Sequence, residues 1–151
     1  MKIQTAYYLS PISILTLRAE DEKIIYLGFN EEGTHKTDSP ALLACMTQLD
    51  EYFAGKRKIF DLPLELRGTD FRKRVWAELL NISYGETRSY KDIAHYIGNP
   101  KAVRAVGGAN HHNPVSIIVP CHRVIAANGA LTGYGGELWR KEWLLAHEAK
   151  Y

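Results

Sequence analysis

Cys121, His122 and Arg123 are consecutive, and a thiol beside an imidazole and a guanidinium has the parts for nucleophilic chemistry. The thiolate is the reactive species, and a positive field is what forms it near neutral pH. His122, Arg123 and one of Lys101 or Arg104 could supply that field. The flanks are apolar: Val115-Ser116-Ile117-Ile118-Val119-Pro120 leads in and Val124-Ile125 leads out. β-Branched residues suit a pleated core, so residues 117–119 are predicted to form a buried strand that Pro120 ends. Free cysteine is also among the most buried residue types, so inert packing stays open for Cys121 on this stretch alone. Consecutive side chains of an extended segment point to opposite faces, so His122 would reach the sulfur only through a bend or a bridging water. A base so placed, with a carboxylate behind it, would activate the thiol.

The elements that must hold these residues can be read in outline. Residues 3–8, 12–18 and 24–29 predict a small antiparallel sheet, with turns at Ser10-Pro11 and Glu20-Asp21-Glu22. Ser39 caps a helix with Pro40 in its first turn, Leu42, Leu43, Met46, Leu49 and Phe53 as its buried stripe, and Gly55 as its stop. Cys45 lies inside it as packing. No chemistry is visible in residues 1–65, which read as scaffold. Residues 56–66 connect to a second lobe, whose first helix is capped by Thr69 and buries Phe71, Val75, Trp76, Leu79 and Leu80. Arg72-Lys73-Arg74 lies outside that stripe, as a solvated face or a polyanion contact. Helices over 90–96 and 101–109, joined by Ile97-Gly98-Asn99-Pro100, predict a helix-turn-helix. The second carries Ala102, Ala105, Gly107, Gly108 and Ala109 around one long side chain, Arg104. Small residues there mean either close packing within the protein or close approach of a partner. A turn-rich loop over 126–136 precedes a last helix over 138–148, with Trp139, Trp143 and Ala146 on one face. The predicted fold class is α+β: an N-terminal antiparallel sheet plus helix (residues 1–66), then a mostly helical C-terminal lobe with the helix-turn-helix and the cysteine (residues 67–151).

Composition narrows the function. The chain has 151 residues, 46% of them hydrophobic, and no apolar run near the ~20 residues that span a bilayer. Its start lacks the apolar core of a signal peptide, so a cytoplasmic protein is expected. Two cysteines make no disulfide framework, there is no C-x-x-C pair, and no metal is expected. The net charge of +2 conceals an imbalance: residues 1–65 hold 10 acidic and 7 basic side chains, residues 66–151 hold 7 and 12. No Asp or Glu occurs between Asp92 and Glu137, an interval that carries Lys101, Arg104, Arg123 and four histidines. Such a surface suits a polyanion such as DNA, although a buried segment would also lack carboxylates.

Pro120-Cys121-His122-Arg123-Val124-Ile125 resembles the active-site motif of the O6-alkylguanine-DNA alkyltransferases, the methylated-DNA–protein-cysteine methyltransferases. The resemblance extends back through Gly98-Asn99-Pro100-Lys101-Ala102-Val103-Arg104-Ala105-Val106-Gly107-Gly108-Ala109 and Asn113-Pro114. It extends forward through Gly133-Tyr134 and Lys141-Glu142-Trp143-Leu144-Leu145-Ala146-His147-Glu148. It implies direct, irreversible, single-turnover transfer of an alkyl group from O6-alkylguanine, and from O4-alkylthymine, in DNA to Cys121. It implies that Glu148 holds His122, which relays through water to Cys121. Tyr90 would donate to the guanine ring nitrogen N3, and Asn113 would brace the active-site strand. Backbone N–H groups near Tyr134 and Gly135 would bind O6, and the carbonyls of Cys121 and Val124 would read the guanine amino group. Arg104 would fill the space of an extruded nucleotide in the minor groove, with Lys101, Ala105 and Arg123 at the DNA surface. The resemblance implies a monomer on double-stranded DNA, with no cofactor and no membrane. Asn110-His111-His112 departs from the family pattern, which leaves the groove contacts there open. Three other readings remain on the residues: an alkylguanine-binding protein without transfer activity, a winged-helix regulator with Cys121 as a redox sensor, and a cysteine hydrolase, which would turn over.

Overall fold

A computed structural model describes residues 2–29, 37–131 and 137–151. Three strands open the chain: β1 (Ile3–Ser10), β2 (Ser13–Glu20) and β3 (Lys23–Gly28), paired antiparallel in the order β1-β2-β3. The β1–β2 register runs from Ile3 opposite Glu20 to Ser10 opposite Ser13. Asp21 and Glu22 both take positive φ, 50° and 58°, the geometry of a two-residue hairpin turn. The inward face presents Ala6, Tyr8, Leu15 and Leu17 to α1 (Pro40–Phe53). As expected, Ser39 caps α1 by accepting from the Leu42 N–H. The buried stripe of α1 is Ala41, Leu42, Cys45, Leu49 and Tyr52: Leu42 and Leu49 are as predicted, and Met46 and Phe53 pack half-buried beside them. Leu43 is exposed, and the helix turns inward the side that carries Tyr52.

The free edge of β3 is covered by two parallel bridges, Ile24 with Leu64 and Leu27 with Val115. The Leu27 N–H donates to Pro114 O at 2.9 Å, and the Ser116 N–H to Leu27 O at 3.0 Å. The N-terminal sheet therefore grips the segment that leads to Cys121. The second half contains α2 (Asp70–Leu79), a two-residue strand β4 (Arg88–Ser89), α3 (Tyr90–Tyr96) and α4 (Val103–His111). A 3-10 turn (Cys121–Arg123), β5 (Val124–Ile125) and α5 (Leu138–Lys150) follow. Helix α3 has the predicted bounds, fixed by a capping box between Ser89 and Asp92. Helix α4 begins two residues later than predicted, because Pro100 and Lys101 sit in the preceding turn. Trp76 Nε1 donates to Ala109 O at 2.8 Å and pins α4 to α2. Parallel pairing of Arg88 with Val124 and Ser89 with Ile125 brings the start of α3 beside the chain just past Cys121. The α+β reading holds, and the buried apolar side chains form one cluster across both halves. No helix among the described residues is long and apolar enough to cross a membrane.

Two further predicted features differ. Residues 117–119 are buried but are not a strand. Ile118 N–H bonds back to Ser116 O at 2.8 Å with Ile117 at φ 72°, so the chain reverses in a γ-turn. Positive φ on a β-branched residue is a genuine outlier, and burial of Ile117 among core side chains holds it there. Helix α5 also turns a different face inward. Lys141, Leu144, His147 and Glu148 are buried, whereas Trp139 and Leu138 are exposed.

Glu148 is what locks α5 in place. Its Oε1 accepts from Arg123 Nε at 2.8 Å, and its Oε2 from Arg123 Nη2 at 3.0 Å, His122 Nε2 at 2.7 Å and Tyr52 Oη at 2.6 Å. Burial alone would raise its carboxyl, but the His122 and Arg123 bonds and charges outweigh that and hold it well below the usual carboxylate range. Removing one partner of a buried pair strands the other charge, so Glu148→Gln is expected to destabilise the protein by about 3–5 kcal/mol at pH 7. A depressed carboxyl contributes above its unfolded value and loses that contribution as pH falls through the folded one. The gap between wild type and variant in urea denaturation should therefore narrow below about pH 4. A gap under about 1 kcal/mol at pH 7 would contradict the clamp.

Candidate active site

The backbone fixes Cys121 before its side chain does anything. Cys121 N–H bonds back to Val119 O at 2.8 Å across Pro120, whose φ of −82° and ψ of 64° make an inverse γ-turn. Cys121 thus opens a 3-10 turn rather than ending a strand, and the chain bends between two γ-turns. Asn113 holds the bend from within: its Nδ2 donates to Val119 O at 2.8 Å and its Oδ1 accepts from Val115 N–H at 3.0 Å. The bracing expected of Asn113 is present, on a turn instead of a strand.

Cys121 is 3% exposed, and it lines a groove of about 350 Å³ between β3 and the end of α4. Phe29, His111, His112 and Ser116 are among its other walls. Burial pushes the thiol up to about 11, against the Asn113 side chain, the Lys141 charge and the Ser116 hydroxyl, which favour the thiolate. Cys45, inside α1, is pushed up to about 12 by burial with no opposing group, as befits packing. The charge that bears on Cys121 is thus Lys141 of α5, not Arg123, Lys101 or Arg104. Lys141 is fully buried, its Nζ donates to Val124 O and lies 5.9 Å from the Tyr90 ring centroid, and burial brings it down to about 8.

Arg123 has another task than the one expected. It is 7% exposed, its Nε and Nη2 donate to the two oxygens of Glu148, and Nη1 donates to Ile82 O at 2.7 Å. Those bonds occupy it inside the protein, so the expectation of Arg123 at the DNA surface is corrected. His122 is fully buried, and burial lowers it from its ordinary value; Glu148 opposes this, while Arg123 and Lys141 add to it. An ionised carboxylate can only accept, so His122 Nε2 carries the proton that faces Glu148 Oε2. The neutral imidazole then has a bare Nδ1, and among the described residues Nδ1 has no hydrogen-bond partner.

The two carbonyls expected to read a guanine amino group are already engaged. Cys121 O accepts from Val124 N–H and from Asn110 Nδ2 at 3.3 Å, and Val124 O accepts from Lys141 Nζ. Asn110 is 2% exposed with an unpartnered Oδ1, so it faces the site's interior and not solvent, while His111 and His112 are exposed beside it. Tyr90 opens α3, half-buried. On α4, Val106, Ala109 and Asn110 face inward, and Val103, Arg104, Ala105 and Gly108 face out, with Lys101 exposed just before them. A Cβ added to Gly108 would meet nothing within 4 Å, and one on Gly107 would meet Tyr90 Cδ1 at 4.0 Å. Internal crowding therefore does not explain these two glycines. Tyr134 and Gly135 lie outside the described residues. Among the described residues no three His, Cys, Asp or Glu side chains are placed to hold a metal ion.

Sequence reasoning missed Lys141, Tyr52 and Asn110. The first could have been found from spacing: Lys141, Leu144 and Glu148 fall at i, i+3 and i+7, one helical stripe with a polar residue at each end.

Comparison with known proteins agrees with this geometry. Residues 70–150 match the profile of the 6-O-methylguanine DNA methyltransferase DNA binding domain, and residues 3–66 that of the 6-O-methylguanine DNA methyltransferase ribonuclease-like domain. The chain is 51% identical over 148 residues to the methylated-DNA–protein-cysteine methyltransferase of Mycolicibacterium paratuberculosis, covering 94% of this chain and 90% of that one. It is 47% identical over 137 residues to the constitutive enzyme of Bacillus subtilis, covering 84% and 83%. The crystal structure of Mycobacterium tuberculosis O6-methylguanine methyltransferase superposes with a TM-score of 0.90 at 49% identity, covering 99% of this chain and 94% of that one. The complex of Mycobacterium tuberculosis OGT with DNA superposes at 0.89 and 50% identity, covering 97% and 92%. The cysteine, its buried imidazole–carboxylate pair and the match along both halves together place the chain in the family of methylated-DNA–protein-cysteine methyltransferases.

Proposed function

We propose that Cys121 accepts the alkyl group of O6-alkylguanine in double-stranded DNA, once per molecule, and so repairs the base directly. The observation that carries this reading is the buried Nδ1 of His122, the residue after the cysteine, which has no hydrogen-bond partner among the described residues while Nε2 is held by an ionised Glu148. The thiol proton passes through a bridging water to His122 Nδ1. The sulfur then attacks the alkyl carbon in line: the S–C bond forms, the C–O6 bond breaks, and the electron pair leaves on guanine O6. The guanine anion is a poor leaving group, and a proton from Tyr90 to ring nitrogen N3 relieves its charge. The product is a thioether with no ready leaving group, which is why the protein acts once. O4-alkylthymine presents the same kind of alkyl–oxygen bond.

The barrier has a size. A thiol at about 11 lies some four units above neutral pH, about 5 kcal/mol of ionisation to be offset at the transition state. His122 takes the proton, and the Lys141 ammonium favours the sulfur anion it leaves. Lys141 also lies close to the Tyr90 ring and opposes the negative charge that Tyr90 acquires on giving up its proton.

The target carbon is out of reach in a stacked duplex, so the nucleotide is swung out, at a cost of about a few kcal/mol. The outward face of α4 fits that task. Its glycines and alanines let backbone approach the minor groove, and Arg104 takes the place of the displaced nucleotide. Lys101 and Ala105 lie on the same surface, and phosphate contacts there give sequence-independent, salt-sensitive affinity. An amino group reading at Cys121 O would require the Asn110 amide to yield. The backbone N–H groups near Tyr134 and Gly135 are assigned to O6. In this reading residues 67–151 carry DNA contact and chemistry, residues 1–66 support them, and the protein works as a monomer without a cofactor.

Incubation with a duplex containing O6-methylguanine should raise the protein's mass by one methyl group, and Cys121→Ala should abolish the gain; binding with unchanged mass would refute transfer. Arg104→Ala should slow reaction with duplex DNA by at least about tenfold while sparing a free O6-alkylguanine base, as expected for a group that offsets unstacking. Equal losses on both substrates would remove its role in extrusion. Lys141→Met should slow transfer to both substrates by about tenfold or more, the worth of roughly 1.4 kcal/mol of charge stabilisation. An unchanged rate in the folded variant would exclude Lys141 from the reaction.

A further inference from the structure

We infer that the Tyr52 phenol, contributed by the N-terminal lobe, is a positioning residue of the Cys121–His122–Glu148 relay and sets how readily His122 takes a proton. The inference rests on the transfer reading given above. Tyr52 is fully buried on α1, 96 residues from Glu148 in sequence, and its Oη donates to Glu148 Oε2 at 2.6 Å. That oxygen also accepts from His122 Nε2, at 2.7 Å. Phenol and imidazole therefore compete for one carboxylate oxygen, which Arg123 Nη2 approaches as a third donor at 3.0 Å.

The competition has a sign. A carboxylate that donates electron density to a phenol is a weaker acceptor toward imidazolium, so the phenol keeps His122 less basic. Remove the phenol and Oε2 holds the His122 N–H more strongly. The imidazole then stays protonated to higher pH, and a protonated His122 cannot accept the thiol proton. The other charged and titratable groups around the pair stay in place. These are Arg123 and Cys121 from the 3-10 turn, Lys141 from α5, and Tyr84 from the turn after α2, whose ring centroid is 5.7 Å from Arg123 Cζ. His147 of α5 packs against the other side of Tyr52, with ring centroids 5.2 Å apart and its Nε2 2.7 Å from Tyr52 O. Phe60 and Tyr84 also pack against the ring, with centroids 5.4 and 6.2 Å away, so the hydroxyl is held toward Glu148.

An internal control lies on the same helix, α1, against β1. Tyr8 Oη donates to Asp50 Oδ1 at 2.5 Å, a phenol–carboxylate bond of the same kind that touches no member of the relay. The experiment measures the rate of methyl transfer from a free O6-methylguanine base between pH 5 and 9, which leaves DNA contacts out. It uses full-length wild type, Tyr52→Phe, Tyr8→Phe, and a chain with 4-fluorophenylalanine at position 52, which keeps ring volume and loses the donor. The acid limb of the profile should move to higher pH by about half a unit or more in both position-52 proteins, with rates above the limb within about threefold of wild type, and should stay fixed in Tyr8→Phe. Superposition of the position-52 profiles on wild type, or an equal displacement in Tyr8→Phe, would overturn the inference and leave Tyr52 a packing residue. A wild type that takes up no methyl at any pH would instead sink the transfer reading itself.

Discussion

A single buried carboxylate organises this protein. Glu148 is 4% exposed, and an ion so far from water is tolerable only when its lone pairs are filled. Arg123, His122 and Tyr52 fill them, and they arrive from two parts of the chain: the 3-10 turn brings two, the first helix brings the third. The pairing ties the last helix to the 3-10 turn. The same contact that closes the fold fixes the tautomer of the proposed base. Stability and chemistry share one set of hydrogen bonds, which makes this site expensive to vary.

The nucleophile sits in tension with that arrangement. Burial holds the sulfur as a thiol, pushed up to about 11, which protects it from adventitious oxidation and from other electrophiles. Reactivity in the proposed mechanism is therefore conditional: it requires a substrate whose leaving group Tyr90 can protonate, and a base that can take the proton. The backbone shows where some of the folding energy is held. Two γ-turns flank residues 118 and 119, one with a buried isoleucine at φ 72°. A regular strand would send consecutive side chains to opposite faces; Cys121 and His122 lie in a 3-10 turn instead.

The sequence made some of this legible and hid the rest for identifiable reasons. The caps at Ser39 and Thr69 and the bounds of α3 are local, so a few residues sufficed to predict them. The cysteine and its histidine stood out because they are adjacent. The strand expected over 117–119 failed because β-branched burial does not distinguish a strand from a tight turn held by the Asn113 side chain. The inward face of α5 was misread because an apolar stripe was sought, while the helix buries Lys141, His147 and Glu148. Arg123 was taken for a DNA contact because cations usually face water; only its pairing with Glu148 shows that it does not. Tyr52 was invisible because nothing near it in sequence suggests chemistry.

The most direct test of the account is the proton arrangement at the resting site, read from a neutron or very high-resolution X-ray structure of the unreacted protein. The account predicts hydrogen on His122 Nε2 toward Glu148, none on Nδ1, and an ordered water within about 3 Å of both Nδ1 and Cys121 Sγ. A proton on Nδ1, or an Nδ1 sealed from the sulfur by packed apolar atoms, would contradict it.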